Sequence, residues 1–361
     1  MCIDYIWYKM ANCPQKKGRR LADERFHISE WYGHPFEQLG DWDRVRLARH
    51  KVGVAPMPKA DQVRLAALEQ VAAAGPLAAK DATRLAALRA KLALQQEHEL
   101  PCPFKVNIPN PTCSKPGGVC SIRPYTEESG VVRPVEGKRG RVRALCPWRF
   151  HQDGIAFDKI GEHLLADPKP RRSGEVGFLE STGNLDSDAG EDVGRIDMIL
   201  VKSNSAAGAP MEWVAVEVQA VYFSGKKMGI EFDHLTETQG KFSMAREKRR
   251  PDYRSSGVKR LMPQLLTKVP TLRRWGKKMA VVVDAPFFDS MGKMERVGDV
   301  SNADIVWCLV DFVDDGGGGP FKLKVVEQFF TTLESATLGL TGGVPVSQGE
   351  FEKRIRAKSA N

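Results

Sequence analysis

Two acidic residues frame the first candidate for chemistry. Asp197 stands in Gly194-Arg195-Ile196-Asp197-Met198-Ile199-Leu200-Val201, and Glu217 in Trp213-Val214-Ala215-Val216-Glu217-Val218-Gln219-Ala220. Between them, residues 203–210 are small and turn-like, centred on position 207, midway between the acids. A hairpin closing there sets Asp197 opposite Glu217 on neighbouring strands, close enough for the carboxylates to share a cation. Alternation then puts Gln219 on the face of Glu217, with Val214, Val216 and Val218 on the other. Mg²⁺ held this way keeps several waters, can generate hydroxide and offsets charge building on a phosphate. The bland reading is a half-buried hairpin with a wet polar face, and the isolated pattern by itself favours it.

Cysteine supplies the second constellation. Cys102, Cys113, Cys120 and Cys146 follow the spacing C-x10-C-x6-C-x25-C. Around them Pro103, Pro109, Pro111, Pro116 and the pair Gly117-Gly118 leave few apolar residues to drive folding. A tetrahedral thiolate site would supply that folding energy, and composition alone points to zinc. The spacing lacks a tight CxxC knuckle, so four unrelated buried thiols are the alternative. Cys2, Cys13 and Cys308 fall outside the set; Cys308 lies in an apolar run and reads as core packing.

Elements that must position these groups follow from periodicity. Residues 195–201, 213–222, 279–283, 305–312 and 323–330 are β-branched and aromatic runs, while 157–165 and 258–268 read as helices. Mixed elements of this kind predict an α/β or α+β core. Residues 58–100 are rich in alanine and leucine. Asp61-Gln62-Val63-Arg64-Leu65-Ala66-Ala67-Leu68 returns as Asp81-Ala82-Thr83-Arg84-Leu85-Ala86-Ala87-Leu88, with Gly75-Pro76 between. Two helices, N-capped by Asp61 and Asp81, are expected to form an αα-hairpin. Its apolar stripe should pack on a neighbouring domain or a partner chain.

At 361 residues the chain is long for one compact domain, and 42% hydrophobic with 27% charged residues excludes a wholly disordered or collagen-like polymer. No apolar run approaches the roughly 18 residues of a membrane span, and the first residues lack a signal peptide. The expectation is a cytoplasmic protein with reduced thiols. Lys+Arg number 54 against 45 Asp+Glu, a net charge of +9 gathered in clusters such as Lys138-Arg139-Gly140-Arg141-Val142-Arg143. That balance fits a polyanion partner, nucleic acid first, or simply solvated surface patches.

Asp…Glu-x-Lys on consecutive strands marks the PD-(D/E)xK nuclease superfamily, and Asp197…Glu217-Val218-Gln219 resembles its Glu-x-Gln variant. Leu100-Pro101-Cys102-Pro103-Phe104, Cys113-Ser114-Lys115-Pro116-Gly117-Gly118-Val119-Cys120-Ser121 and Cys146-Pro147-Trp148-Arg149-Phe150 resemble the four-cysteine module of NotI-type restriction endonucleases. So does Arg250-Pro251-Asp252-Tyr253-Arg254-Ser255-Ser256-Gly257. The resemblance spans roughly residues 100–340. It implies an α/β fold: a restriction-endonuclease-like mixed sheet flanked by helices, with an N-terminal helical region and a small four-cysteine metal module. Asp197 and Glu217 would ligate catalytic Mg²⁺, and Gln219 would replace the usual lysine, orienting water or phosphate without positive charge. Glu180 or Glu175 would add an upstream acid, Glu180 being preferred. The four cysteines would hold structural iron, or zinc as composition suggests.

Texture and resemblance together divide the chain into 1–99 (an N-terminal region with the alanine-rich helical hairpin, for DNA recognition or dimer contacts), a metal module at 100–150, a catalytic core at 151–345 and a basic tail at 346–361. The expected activity is type II restriction: cleavage of double-stranded DNA at a palindrome by a homodimer, with a companion DNA methyltransferase in the same system. Arg123, Arg141 and Arg143 are candidates to reach guanine edges, although phosphate contact is an arginine's commoner fate. Two alternatives stay open: a repair or phage-defence nuclease of loose specificity, and a catalytically silent DNA-binding protein that keeps the metal site.

Overall fold

The β-branched runs of the sequence become sheet strands in a computed structural model that describes residues 23–50, 57–97, 100–105, 111–183, 190–203, 208–342 and 346–359. Among these residues a first, five-stranded sheet takes β1 (Arg25–Trp31), β2 (His34–Pro35), β3 (Val119–Glu128), β4 (Val131–Pro134) and β5 (Arg143–Ala144). Its order is β2-β1-β3-β4, with β5 also on β3, and every pairing is antiparallel. β1 pairs with β3 from Arg25↔Tyr125 to Trp31↔Val119, so strands on either side of residue 100 share one ladder.

Between β2 and β3 lie α1 (Asp41–His50), α2 (Lys59–Ala74) and α3 (Ala79–Glu97). The αα-hairpin forms as its repeat predicts, but two details differ. Asp61 and Asp81 lie in the first turns, not at the N-caps, because the helices begin earlier, at Lys59 and Ala79. Asp61 instead binds Lys91 Nζ across the hairpin at 2.7 Å. The apolar stripe is also spent internally: Leu65, Leu85 and Leu88 pack with Met57 in a cluster confined to residues 57–92.

The second sheet carries α4 (Ile155–Leu165) on one face and contains β6 (Arg171–Glu180), β7 (Asp192–Val201) and β8 (Trp213–Val218). After the short pair β9 (Phe223–Ser224) and β10 (Arg250–Pro251), separated by α5 (Gly229–Glu237), come α6 (Tyr253–Ser256), a π-helical turn Gly257–Leu261 and α7 (Met262–Arg274). β11 (Met279–Asp284), α8 (Ala285–Asp289), β12 (Ile305–Val313), β13 (Lys322–Thr331), α9 (Leu333–Thr341) and α10 (Gln348–Ser359) complete the chain. The expected basic tail is therefore helical. Strand order is β13-β12-β11-β8-β7-β6, parallel across β8, β11 and β12 and antiparallel elsewhere.

Both faces of the central strands are covered, which is why Met279–Asp284 is apolar without alternation. Phe157 and Ile160 of α4 close one face over Leu200, Val214, Val216 and Val306. Leu265, Val269 and Leu272 of α7 close the other over Ala215, Val281 and Trp307. Each such side chain contributes about 1.5–3 kcal/mol on full burial. A buried ion pair ties the sheets together: Arg149 Nε donates to Glu30 Oε2 at 2.7 Å, and both side chains are 0% exposed. Among the described residues no helix is long and apolar enough to cross a membrane.

Candidate active site

The β7–β8 ladder pairs Met198↔Val216, Ile199↔Ala215, Leu200↔Val214 and Val201↔Trp213, so Asp197 and Glu217 stand at the next step outward. This is the register expected of a hairpin centred on 207, although 204–207 lie outside the described residues. At that step the ladder opens. The Val218 N–H donates to Asp197 Oδ2 at 3.0 Å, and the Gln219 N–H turns to Val282 O of β11 at 3.1 Å. Val214, Val216 and Val218 pack on the α4 side, which leaves Glu217 facing α7.

From α7, Lys268 Nζ reaches Glu217 Oε2 at 2.7 Å, and both side chains are almost wholly buried. Burial, reinforced by the Asp197 charge, pushes Glu217 up to about 7, while Lys268 pulls it down. Asp197 is also raised by burial; the Val218 N–H and Lys268 oppose that shift, and Glu175 adds to it. Lys268 was not among the residues singled out from the sequence. Its signal is nonetheless there: Leu261, Leu265, Val269 and Leu272 trace the buried stripe, and a lysine at 268 interrupts it.

A cavity of about 600 Å³ opens over the two acids. Asp197, Glu217 and Gln219 line it together with Lys115, Arg249, Lys259 and Arg260, among apolar residues such as Leu145 and Met228. Arg249 Nε is buried and has no hydrogen-bond partner among the described residues. The Arg260 guanidinium lies 3.4 Å from the centre of the Tyr222 ring. Lys259 and Arg260 are presented by the π-helical turn, a local widening that recurs at functional sites. A second hollow, about 660 Å³, lies over α1 against Trp42, Arg46, Arg49 and His50, and the Asp197–Glu217 pair takes no part in it.

The 250–257 segment clamps the chain just beyond Gln219. The Asp252 N–H donates to Tyr222 O at 2.6 Å, and the Tyr222 N–H donates to Ser256 Oγ at 2.8 Å. Asp252 also caps α6 by accepting the Ser255 N–H. These bonds make the motif a positioning device for the cavity wall.

Two expectations need correction. β6 pairs Gly174↔Met198 and Val176↔Ile196, which sets Glu175 across from Asp197. Glu180 pairs with Asp192 instead, five positions along the strand, or about 17 Å away. The structure does not bring Glu180 to the acids; of the two glutamates, Glu175 is the neighbour. The proposed base-reading arginines are engaged within the protein. Arg143 is buried, donates to the carbonyls of Arg139 and Arg141, and stacks on Phe26. Arg141 pairs with Asp311 at 3.2 Å, and Arg123 lies over Tyr125 near Glu37.

Three backbone devices shape the segments that carry the four cysteines. A bridge between Pro101 and Thr112 sets Cys102 beside Cys113, with the Cys102 N–H donating to Pro111 O at 2.7 Å. Cys120 is the second residue of β3, and its carbonyl accepts the N–H groups of Leu145 and Cys146. Gly117 and Gly118, both at positive φ, make the turn between; a Cβ on Gly118 would lie 2.1 Å from the Tyr32 ring. Burial raises the Cys113, Cys120 and Cys146 thiols, and neighbouring members of the set push each further the same way. Lys115 is half-buried beside them, its ammonium donating to Leu145 O. Among the described residues, no three His, Cys, Asp or Glu side chains are arranged as a ready metal cage. Cys308 lies in the core of β12, its thiol pushed up to about 12 by burial, and Cys2 and Cys13 fall outside the described residues.

A mixed α/β architecture with helices on both faces of its larger sheet is consistent with a restriction-endonuclease-like fold. The family model described as restriction endonuclease NotI matches residues 86–323, more than half of the chain, and the chain belongs to that family. It is thereby a restriction endonuclease acting on DNA. No curated protein matches the chain at a significant level.

Proposed function

We propose that the chain is a type II restriction endonuclease that hydrolyses phosphodiester bonds of duplex DNA at a palindromic site, with Mg²⁺ held by Asp197 and Glu217. The observation that carries this reading is the pairing of two carboxylates at the edge of a cavity that four basic side chains, Lys115, Arg249, Lys259 and Arg260, also line. The donor set fits the ion. Carboxylate oxygens suit Mg²⁺, and the Asp197 and Glu217 carboxylates lie close enough to repel each other across the cavity edge. Bound there, Mg²⁺ supplies an acidified water and neutralises charge on phosphate.

The chain's own groups do the rest. Val218 N–H fixes the Asp197 carboxylate, while Arg249, Lys259 and Arg260 meet backbone phosphates. Gln219 offers its amide to water or phosphate. Attack by water forms a new P–O bond as the bond to the 3′-oxygen breaks; the water's proton passes to solvent and the 3′-hydroxyl is protonated from it.

The four thiols suit a structural metal, iron or zinc, at Cys102, Cys113, Cys120 and Cys146, with half-buried Lys115 offsetting thiolate charge. One acid pair cuts one strand, so a double-strand break calls for two protomers related by a two-fold axis, which maps onto palindromic DNA. A companion methyltransferase would protect the host's own sites. Digestion of a sequenced plasmid by purified protein with Mg²⁺ tests the reading. Discrete fragments, lost with Asp197→Asn or Glu217→Ala while DNA binding persists in Ca²⁺, are expected. A smear, or near-normal cutting by either variant, overturns it.

A further inference from the structure

Gln219 leaves the site without the lysine that its neighbours on the strand would otherwise have had, and the fold brings another lysine to the same acids from a different element. We propose that Lys268, reaching Glu217 from helix α7, supplies the positive charge that Gln219 lacks. It holds Glu217 in the free protein and turns to the scissile phosphate once a divalent cation takes the carboxylate. This rests on the reading of Asp197 and Glu217 as the Mg²⁺ site.

Three observations support it. Lys268 Nζ is 2.7 Å from Glu217 Oε2, the acid that lines the cavity. Gln264, one turn earlier on the same helix face, lines that cavity too, as do Pro263 and Arg260. A role in stability alone does not account for a lysine here, because a buried ion pair replaced by apolar residues of similar volume is commonly neutral or stabilising. Lys268 stands among Leu265, Val269 and Leu272, where an apolar residue would pack. A charged group kept in such a stripe has its use at the cavity.

An ammonium on Glu217 Oε2 also competes with a cation for that oxygen, which gives the proposal two readouts. Single-turnover cleavage of the plasmid that the wild type cuts is followed over a range of Mg²⁺ for Lys268→Met, Gln219→Lys, the double variant and Asp197→Asn. Lys268→Met should cut about 100-fold more slowly at saturating Mg²⁺, the usual loss for one transition-state charge partner. Its half-saturating Mg²⁺ concentration should fall, because the competing ammonium is gone. Gln219→Lys added to Lys268→Met should restore at least an order of magnitude.

Cleavage by Lys268→Met within a few-fold of wild type overturns the proposal. So does a loss that extra Mg²⁺ cures, which is the mark of a mere structural prop, or a double variant no faster than Lys268→Met. Should Lys268→Met not fold by circular dichroism, a crystal structure of the wild type with Ca²⁺ and the cut duplex decides. Lys268 Nζ on a phosphate oxygen supports the proposal, and Nζ still on Glu217 without phosphate contact refutes it. Normal cutting by Asp197→Asn would instead sink the underlying site reading. An inactive Asp197→Asn beside a fully active Lys268→Met sinks this inference alone.

Discussion

Replacing Glu30 with alanine should come close to unfolding the protein. Glu30 sits on β1, fully buried, and accepts Arg149 Nε at 2.7 Å, a second Arg149 nitrogen at 2.9 Å, the Ser121 hydroxyl at 2.6 Å and the Phe321 N–H at 2.9 Å. Arg149 lies between the rings of Phe104 and Phe312, 4.6 and 4.3 Å from their centres, with no route to water. Removing the carboxylate strands that guanidinium, which costs about 3–5 kcal/mol. The orphaned Ser121 and Phe321 donors add about 1–3 kcal/mol each where no water replaces the acceptor. A total stability of about 5–15 kcal/mol leaves little after such a loss. Urea unfolding followed by circular dichroism measures it. Glu30→Leu with Arg149→Met should recover much of the deficit, because both charges leave together. A Glu30→Ala loss below about 1 kcal/mol would refute the argument, since it would mean that the pair is solvated or dispensable.

Three further outcomes follow from the same structure. Burial, then His234 and Arg44, lower His27 from 6.5 to about 3, so the unfolded chain takes the proton first. The His27 contribution to stability should therefore fall as pH drops from about 6.5 towards 3, by about 1.4 kcal/mol per unit, and the stability difference between wild type and His27→Gln in urea titrations should shrink with that slope. Gly118→Ala should cost about 1–3 kcal/mol and lower the melting temperature, because its φ of +65° is strained for alanine and its Cβ meets the Tyr32 ring. Cys146→Ser should purify with less bound metal by elemental analysis, whereas Cys308→Ser, in the core of β12, should keep wild-type content.

The hairpin was legible because its information is local. Two apolar runs of fixed period and a turn of small residues determine which positions face each other, and Asp197 and Glu217 follow from that register. The five β-rich runs appear as strands for the same reason. Lys268 was not legible as a partner of Glu217, since its distance from residue 217 in sequence is bridged only by the packing of α7 on β8. The choice between Glu175 and Glu180 turned on a strand register with irregularities between Gly177 and Glu180, which composition does not encode. β1 carried no clean period because Ile28, Ser29, Glu30 and Trp31 are all buried; the Glu30 carboxylate is satisfied there by Arg149 and Ser121.

That buried polar network ties two cysteine-bearing segments to β1. Glu30 accepts from Ser121, next to Cys120, and from Arg149, three residues past Cys146, so the strand that carries one thiol and the turn that follows another are held to one carboxylate. Leu145, whose N–H donates to the Cys120 carbonyl and whose own carbonyl accepts Lys115, continues this frame to the cavity wall. On the opposite wall, Asp197 and Glu217 are fixed by the Val218 N–H and the packing of β8 between β7 and β11. The cavity thus has one side set by a hydrophobic sheet and the other by a segment too poor in apolar residues to hold its own shape. The second side needs polar anchorage because any slack there would pass directly to Lys115 and Pro116, which line the same cavity as the carboxylates.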